Sequence, residues 1–178
     1  MKRMKLFLVL TGIAALLLAT MPASAKTSRT PLDITEYVCM NTPGKEWVGG
    51  NVYHLRGQIH KAVEVVNGEV WGFTTATLDL DWNLKTGQVT VWGFADLMPT
   101  GVDGGYAGAG AFRFYGSGPN SFMGNWAAQG YGDLKGQFLR MDAVGEDFLP
   151  VQGAAYCEGR GEYFSTTLWS GYILNTDS

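Results

Sequence analysis

The sequence has little of what most catalytic and nucleic-acid-binding chains are built on. It holds two histidines, two cysteines and six prolines in 178 residues. No His-Glu-x-x-His, Gly-x-Ser-x-Gly or Walker pattern occurs, so zinc-protease, hydrolase-elbow and nucleotide-loop chemistry find no signature. Without a Cys-x-x-Cys there is no redox-active pair. Beyond the first five residues the lysines and arginines form no run or stripe, which makes nucleic acid and anionic membranes poor partners. Gly130-x-Gly132-x-x-x-Gly136 falls short of a dinucleotide fingerprint and lacks the strand-to-helix context such a loop requires. Long helical periodicity is also missing after the first 25 residues.

What is present begins with an export signal. Lys2, Arg3 and Lys5 precede an apolar run, Leu6 to Thr20, and Ala23 and Ala25 are the small residues a signal peptidase reads. The run is short for a membrane span and ends at Pro22. Residues 1–25 are therefore expected to be a cleaved signal peptide, and the protein to be exported with no membrane span. The remaining 153 residues suit one domain and carry ten basic against sixteen acidic residues, a net charge of −6. In an oxidising compartment the isolated pair Cys39 and Cys157 is expected to form a disulfide.

Downstream, short alternating runs are separated by turn signals, the pattern of an all-β sandwich or barrel. Residues 26–33 read as a flexible leader and 34–178 as the barrel domain. Strands are expected at Ile34 to Met40, Val52 to Val66, Glu69 to Trp82, Gln88 to Leu97, Tyr106 to Tyr115, Phe122 to Tyr131, Leu134 to Ala143, Ala154 to Cys157 and Tyr163 to Leu174. Asn41 to Gly44 reads as a turn, and Asn67-Gly68 is a strong hairpin signal. Thr74, Ala76, Leu78, Leu80 and Trp82 share one face, with Thr75, Thr77, Asp79 and Asp81 on the other. Hairpin-length loops joining about eight strands suggest a single antiparallel up-and-down barrel, which removes exposed sheet edges by closing.

The segment Gln129-Gly130-Tyr131-Gly132-Asp133-Leu134-Lys135-Gly136 resembles the Gly-x-Gly-Asp-Phe/Leu-x-Gly segment of the allene oxide cyclase and dirigent barrels. The preceding Gly/Ala-rich strand and Asn125 extend the resemblance over roughly residues 104–142. It implies an eight-stranded barrel around an apolar cavity that works on small hydrophobic molecules with no metal or organic cofactor. The acidic catalytic residues of those families match no motif here.

Candidate site residues come from one strand and one outlier. If the strand from Tyr53 to Ile59 is unbroken, His54, Arg56, Gln58 and His60 share a face. They either line the lumen, where they would hold an acidic head group, or form an ordinary wet face. The expectation carried forward is that they point inward. The two histidines stand about 20 Å apart along a strand, too far to share one metal ion. Asp79 and Asp81 read as the wet side of a hairpin. Arg113 either anchors a ligand anion or reaches to water. Trp71, Trp82, Trp92, Phe94, Phe112, Phe114, Phe122 and Trp126 are core candidates. The function expected is binding of a small apolar or amphipathic molecule in the lumen. The alternatives are a cofactor-free isomerase or cyclase and a structural module with a filled core.

Overall fold

The computed structural model describes residues 27–114, 122–147 and 150–176; the expected signal peptide lies outside them. Among the described residues nine strands and one helix follow in chain order. They are β1 (Thr27–Thr42), β2 (Lys45–Gly49), β3 (Val52–Val66), β4 (Glu69–Asn83), β5 (Val89–Pro99), β6 (Gly104–Phe114), β7 (Phe122–Gly132), β8 (Gln137–Asp147), α1 (Pro150–Cys157) and β9 (Glu162–Thr176). All neighbours pair antiparallel, in the order β1-β9-β8-β7-β6-β5-β4-β3-β2, and β1 also pairs with β3. That last pairing closes β1 and β3–β9 into an eight-stranded barrel, with β2 as an extra strand. Among the described residues no helix is long and apolar enough to cross a membrane.

Side chains alternate between lumen and exterior, so each strand writes its own wall. On β4, Thr74, Ala76, Leu78 and Leu80 line the lumen, as the alternation requires, and Asp79 and Asp81 lie outside. One end of the barrel is filled by Leu97, Tyr106, Leu139 and Met141, each at most 1% exposed, with Trp71, Leu32 and Ile173 packed against the same core. Outside the wall, α1 covers Tyr37, Val63 and Val65; Tyr156 stacks on Tyr37 at 4.3 Å, and Tyr163 joins the cluster. Cys39 and Cys157 are joined by a disulfide across 118 residues, fixing α1 to β1.

Several expected boundaries are corrected. The leader expected at 26–33 is strand from Thr27 onward, paired along β9 from Thr176 to Ser170. Ala154 to Cys157 is helix rather than strand: Pro150 starts it where a missing N–H costs nothing, and tertiary packing against β9 outweighs the short apolar run. The stretch Asn41 to Gly44 does not reverse the chain. It interrupts one long strand, so that β1 and β2 run in succession along the same edge of β3. The chain reverses at Gly50-Asn51 instead, between the paired Gly49 and Val52. Finally, β8 begins at Gln137 and not at Leu134, because Gly132–Gly136 forms the β7–β8 turn, with Gly132 and Gly136 at positive φ.

The most consequential irregularity is in β3. Leu55 pairs with Leu80 and Gln58 with Leu78, so Arg56 and Gly57 stand opposite the single residue Asp79. This is a β-bulge, and it moves the side chains on its two sides to opposite faces. Gly57 sits at φ 68°, and a Cβ added to it would meet no neighbour within 4 Å. Gly57→Ala should therefore lose about 1–2 kcal/mol from backbone strain alone, read as a lowered urea midpoint at unchanged slope. An unchanged midpoint would contradict the bulge.

Candidate lumen site

Toward the other end of the barrel the lumen is hollow, with a cavity of about 160 Å³. Its hollowness is written in the sequence. Gly93 and Gly110 face each other across β5 and β6 on the lumen side. A Cβ on Gly93 would lie 2.3 Å from the Thr77 carbonyl oxygen, and one on Gly110 would lie 2.9 Å from the Asn125 carbonyl oxygen. Neither position accepts a side chain, so β5 and β6 present only backbone to the lumen at this level. Leu78, Leu80, Val91, Phe112, Trp126 and Met141 supply the apolar walls.

Two carboxyl groups interrupt that apolar surface. Glu36 on β1 and Glu64 on β3 are direct cross-strand partners, and both line the cavity. Glu64 is 3% exposed, while Glu36 is partly buried with its free surface on the cavity side. The Trp169 indole donates to Glu36 Oε2 at 2.8 Å, and the Thr74 hydroxyl donates to Glu64 Oε1 at 2.5 Å. Burial pushes the Glu36 carboxyl up to about 7, against the opposing pull of its hydrogen bonds from Trp169 and Thr167. Burial, and then the nearby Glu36 charge, push Glu64 well above the carboxylate range. Two like charges on directly paired residues in a buried site do not both ionise readily, so the pair retains a proton at neutral pH. A carboxylic acid that stays protonated there can donate a hydrogen bond or a proton, and its ionised partner can accept one.

Further along β3, Gln58 and His60 also line the cavity. Gln58 Nε2 donates to Met40 Sδ at 2.9 Å. His60 is 7% exposed and burial lowers its pKa to about 4, so it is a neutral imidazole at neutral pH. His60 Nε2 and Trp126 Nε1 are buried polar atoms with no hydrogen-bond partner within the protein. Buried polar groups are normally satisfied, and both of these residues belong to the cavity wall.

The expected row of four is thus split by the bulge. Gln58 and His60 face the lumen, whereas His54 and Arg56 lie on the outer surface. There, Asp81 Oδ1 accepts from Arg56 Nη2 at 2.7 Å and lies 2.6 Å from His54 Nδ1. The Arg56 guanidinium is held between the rings of Trp92, at 4.7 Å, and Trp47, at 5.4 Å, while Trp47 stacks on His54. Arg113 is also outside and exposed, on β6 opposite Thr90 and Met123. Among the described residues no guanidinium or ammonium group lines the cavity. Of the core candidates, Trp126 and Phe112 line the cavity and Trp71 packs on the core. Phe94 borders the cavity although it is 55% exposed, whereas Trp92 covers Arg56 on the outside and Trp82 is 44% exposed. The side chains of Phe114 and Phe122 lie outside the described residues.

Sequence reasoning missed Glu36 and Glu64, though each left a trace. Glu36 alternates with Ile34 and Val38, and Glu64 sits between Val63 and Val65. A lone carboxylate on the apolar phase of an alternating strand is the signal, because a residue of that parity must enter the core. The bulge was marked by Gly57 inside a strand pattern. No protein-family model, no curated protein and no solved structure matches this chain.

Proposed function

We propose that the protein is exported and holds a small apolar or amphipathic molecule inside its barrel. The carrying observation is the cavity itself, walled by apolar side chains, with Gly93 and Gly110 adding none of their own. A dry cavity of roughly 150 Å³ accepts a single aromatic ring, so the occupant has the size of one ring or a short chain. A module with a filled core would have side chains in place of this space. The partnerless His60 Nε2 and Trp126 Nε1 give an amphipathic occupant polar groups to meet. Export is supported by the signal-like residues 1–25 and by the disulfide.

Native mass spectrometry of exported protein tests both parts. The polypeptide mass should correspond to a chain beginning at Lys26, and single-ring compounds should bind at one-to-one stoichiometry. Ala76→Phe, which fills the lumen, should lose that binding. A chain retaining residues 6–18 contradicts export, and one-to-one binding that survives Ala76→Phe contradicts the lumen site.

A second reading, a cofactor-free isomerase or cyclase of the allene oxide cyclase type, is favoured by the Glu36–Glu64 pair. A protonated carboxyl beside an ionised one can give a proton to one atom of a bound molecule and remove one from another. Turnover of a short-chain unsaturated epoxide, falling by about 10²–10⁴-fold in Glu64→Gln, would select this reading. Equal turnover by the variant would reject it.

A further inference from the structure

We infer that the lumen is built for a cationic occupant: a ring-sized apolar amine whose ammonium group lies against Glu36 and Glu64. The inference rests on the lumen-binding reading and adds the chemical class of the ligand.

The charged inventory of the cavity is one-sided. Among the described residues its titratable lining groups are Glu36 from β1 and Glu64 and His60 from β3, and none comes from β4 to β9. The one cation that sequence reasoning placed in the lumen, Arg56, is outside and committed to Asp81, to the Leu55 and Leu80 carbonyls and to two tryptophan rings. Among the described residues the carboxyl pair therefore has no counter-ion in the wall. Its protein donors are few: Trp169 and Thr167 on Glu36 and Thr74 on Glu64. A carboxyl group has two oxygens and several lone pairs, so acceptor capacity remains. An ammonium brings donors and the missing positive charge together. The aromatic walls suit it as well, since ring faces attract cations; Phe112, Trp126 and Trp169 all border the cavity.

The second, independent sign of a ligand is the pair of partnerless polar side chains. His60 and Trp126 are each 7% exposed, and both belong to the cavity wall. His60 lies four residues from Glu64 on β3, about 13 Å along the strand. The cavity thus has an acidic group at one level and an unpaired imidazole nitrogen at another, with apolar wall between. A ring carrying an amine at one end reaches the carboxyls with its ammonium and lays its ring along the apolar wall. An acidic head group would face two carboxyls and no cation.

An ammonium entering the site makes the second ionisation of the pair favourable, so binding releases protons. Affinity for an amine should rise with pH between about 6 and 8. His60 stays uncharged throughout that window, leaving the carboxyls as the source of the change.

The test is isothermal titration calorimetry of the mature chain with four matched probes: benzylamine, benzyl alcohol, toluene and benzoate. At pH 8 benzylamine should bind at least tenfold more tightly than benzyl alcohol, and benzoate most weakly. The advantage should shrink at pH 6, and heats in buffers of different ionisation enthalpy should report proton release. Glu36→Gln and Glu64→Gln should each reduce the amine preference by tenfold or more while retaining toluene binding, which shows the lumen intact. Benzyl alcohol or toluene binding as tightly as benzylamine at pH 8 would overturn the inference and leave the lumen reading standing. Failure of all four probes to bind would overturn both. Benzylamine binding that survives Ala76→Phe would place the amine on the outer carboxylates Asp79 and Asp81, and would overturn the inference too.

Discussion

Glu36→Gln is expected to make the protein more stable at pH 8, by about 3 kcal/mol, and to leave it nearly unchanged at pH 4. The sign follows from where the proton sits. The folded chain keeps a proton on Glu36 up to a pKa of about 7, whereas the unfolded chain releases it near 4.5. Between those values the folded state binds more protons than the unfolded one, so stability falls as pH rises through the window. Above 7 the full penalty of a buried carboxylate is in place. Glutamine has nearly the same shape, can still accept from the Trp169 indole, and never carries the charge. It also removes the Glu36 charge that helps to raise Glu64. At pH 8 the melting temperature should rise by about 6–12 °C. His60 acts in the other direction and at lower pH: its folded pKa of about 4 removes stability as pH falls below 6.5. Comparing variant and parent at each pH isolates the carboxyl effect from that background. A variant less stable than the parent at pH 8 would contradict the buried pair. A native group that lowers stability at neutral pH is what a binding or reacting site retains, and what a purely structural core would have lost.

Breaking the Cys39–Cys157 bond should have the other large effect. The link closes a loop of 118 residues, and in the chain-entropy account such a link contributes about 4–5 kcal/mol. The double change Cys39→Ala with Cys157→Ala should lower the melting temperature by about 10–20 °C. It should act first at α1, whose docking on β1 and β9 rests on the bond and on the Tyr37–Tyr156 stack. Amide exchange in α1 should therefore accelerate more than in β5 or β6. Uniform acceleration, or an unchanged melting temperature, would show that α1 docks without the covalent tie.

Much of this architecture can be read from alternation and turn chemistry. The β4–β5 hairpin follows from Thr74, Ala76, Leu78 and Leu80 alternating with Thr75, Thr77, Asp79 and Asp81, and the register matches it residue for residue. Closure of the barrel follows from a meander of about eight strands with hairpin-length loops. The site is less legible, for a geometric reason. Face assignment along a strand assumes period two, and one extra residue inverts every position beyond it. The bulge at Arg56 and Gly57 does this to β3. It sends Arg56 outward to Asp81 and leaves Gln58 and His60 inside, so half of the expected polar row is present and its positive charge is lost. The Glu36–Glu64 partnership is a different kind of omission. It depends on β1 closing against β3, a contact between residues 28 apart whose register nothing local in the sequence fixes. The helix α1 was hidden because four apolar or small residues, Ala154 to Cys157, look alike in a short strand and a short helix.

The central claim is that a buried carboxyl pair waits in a hollow barrel for a partner of opposite charge. The most direct measurement is a carbon-13 NMR titration of protein labelled at the glutamate carboxyl carbons, with Glu36→Gln and Glu64→Gln providing the assignments. The account predicts that Glu36 titrates near 7 and Glu64 well above the other glutamates, and that saturating benzylamine moves both downward. Both carboxyls titrating near 4.5, with no response to the amine, would contradict it.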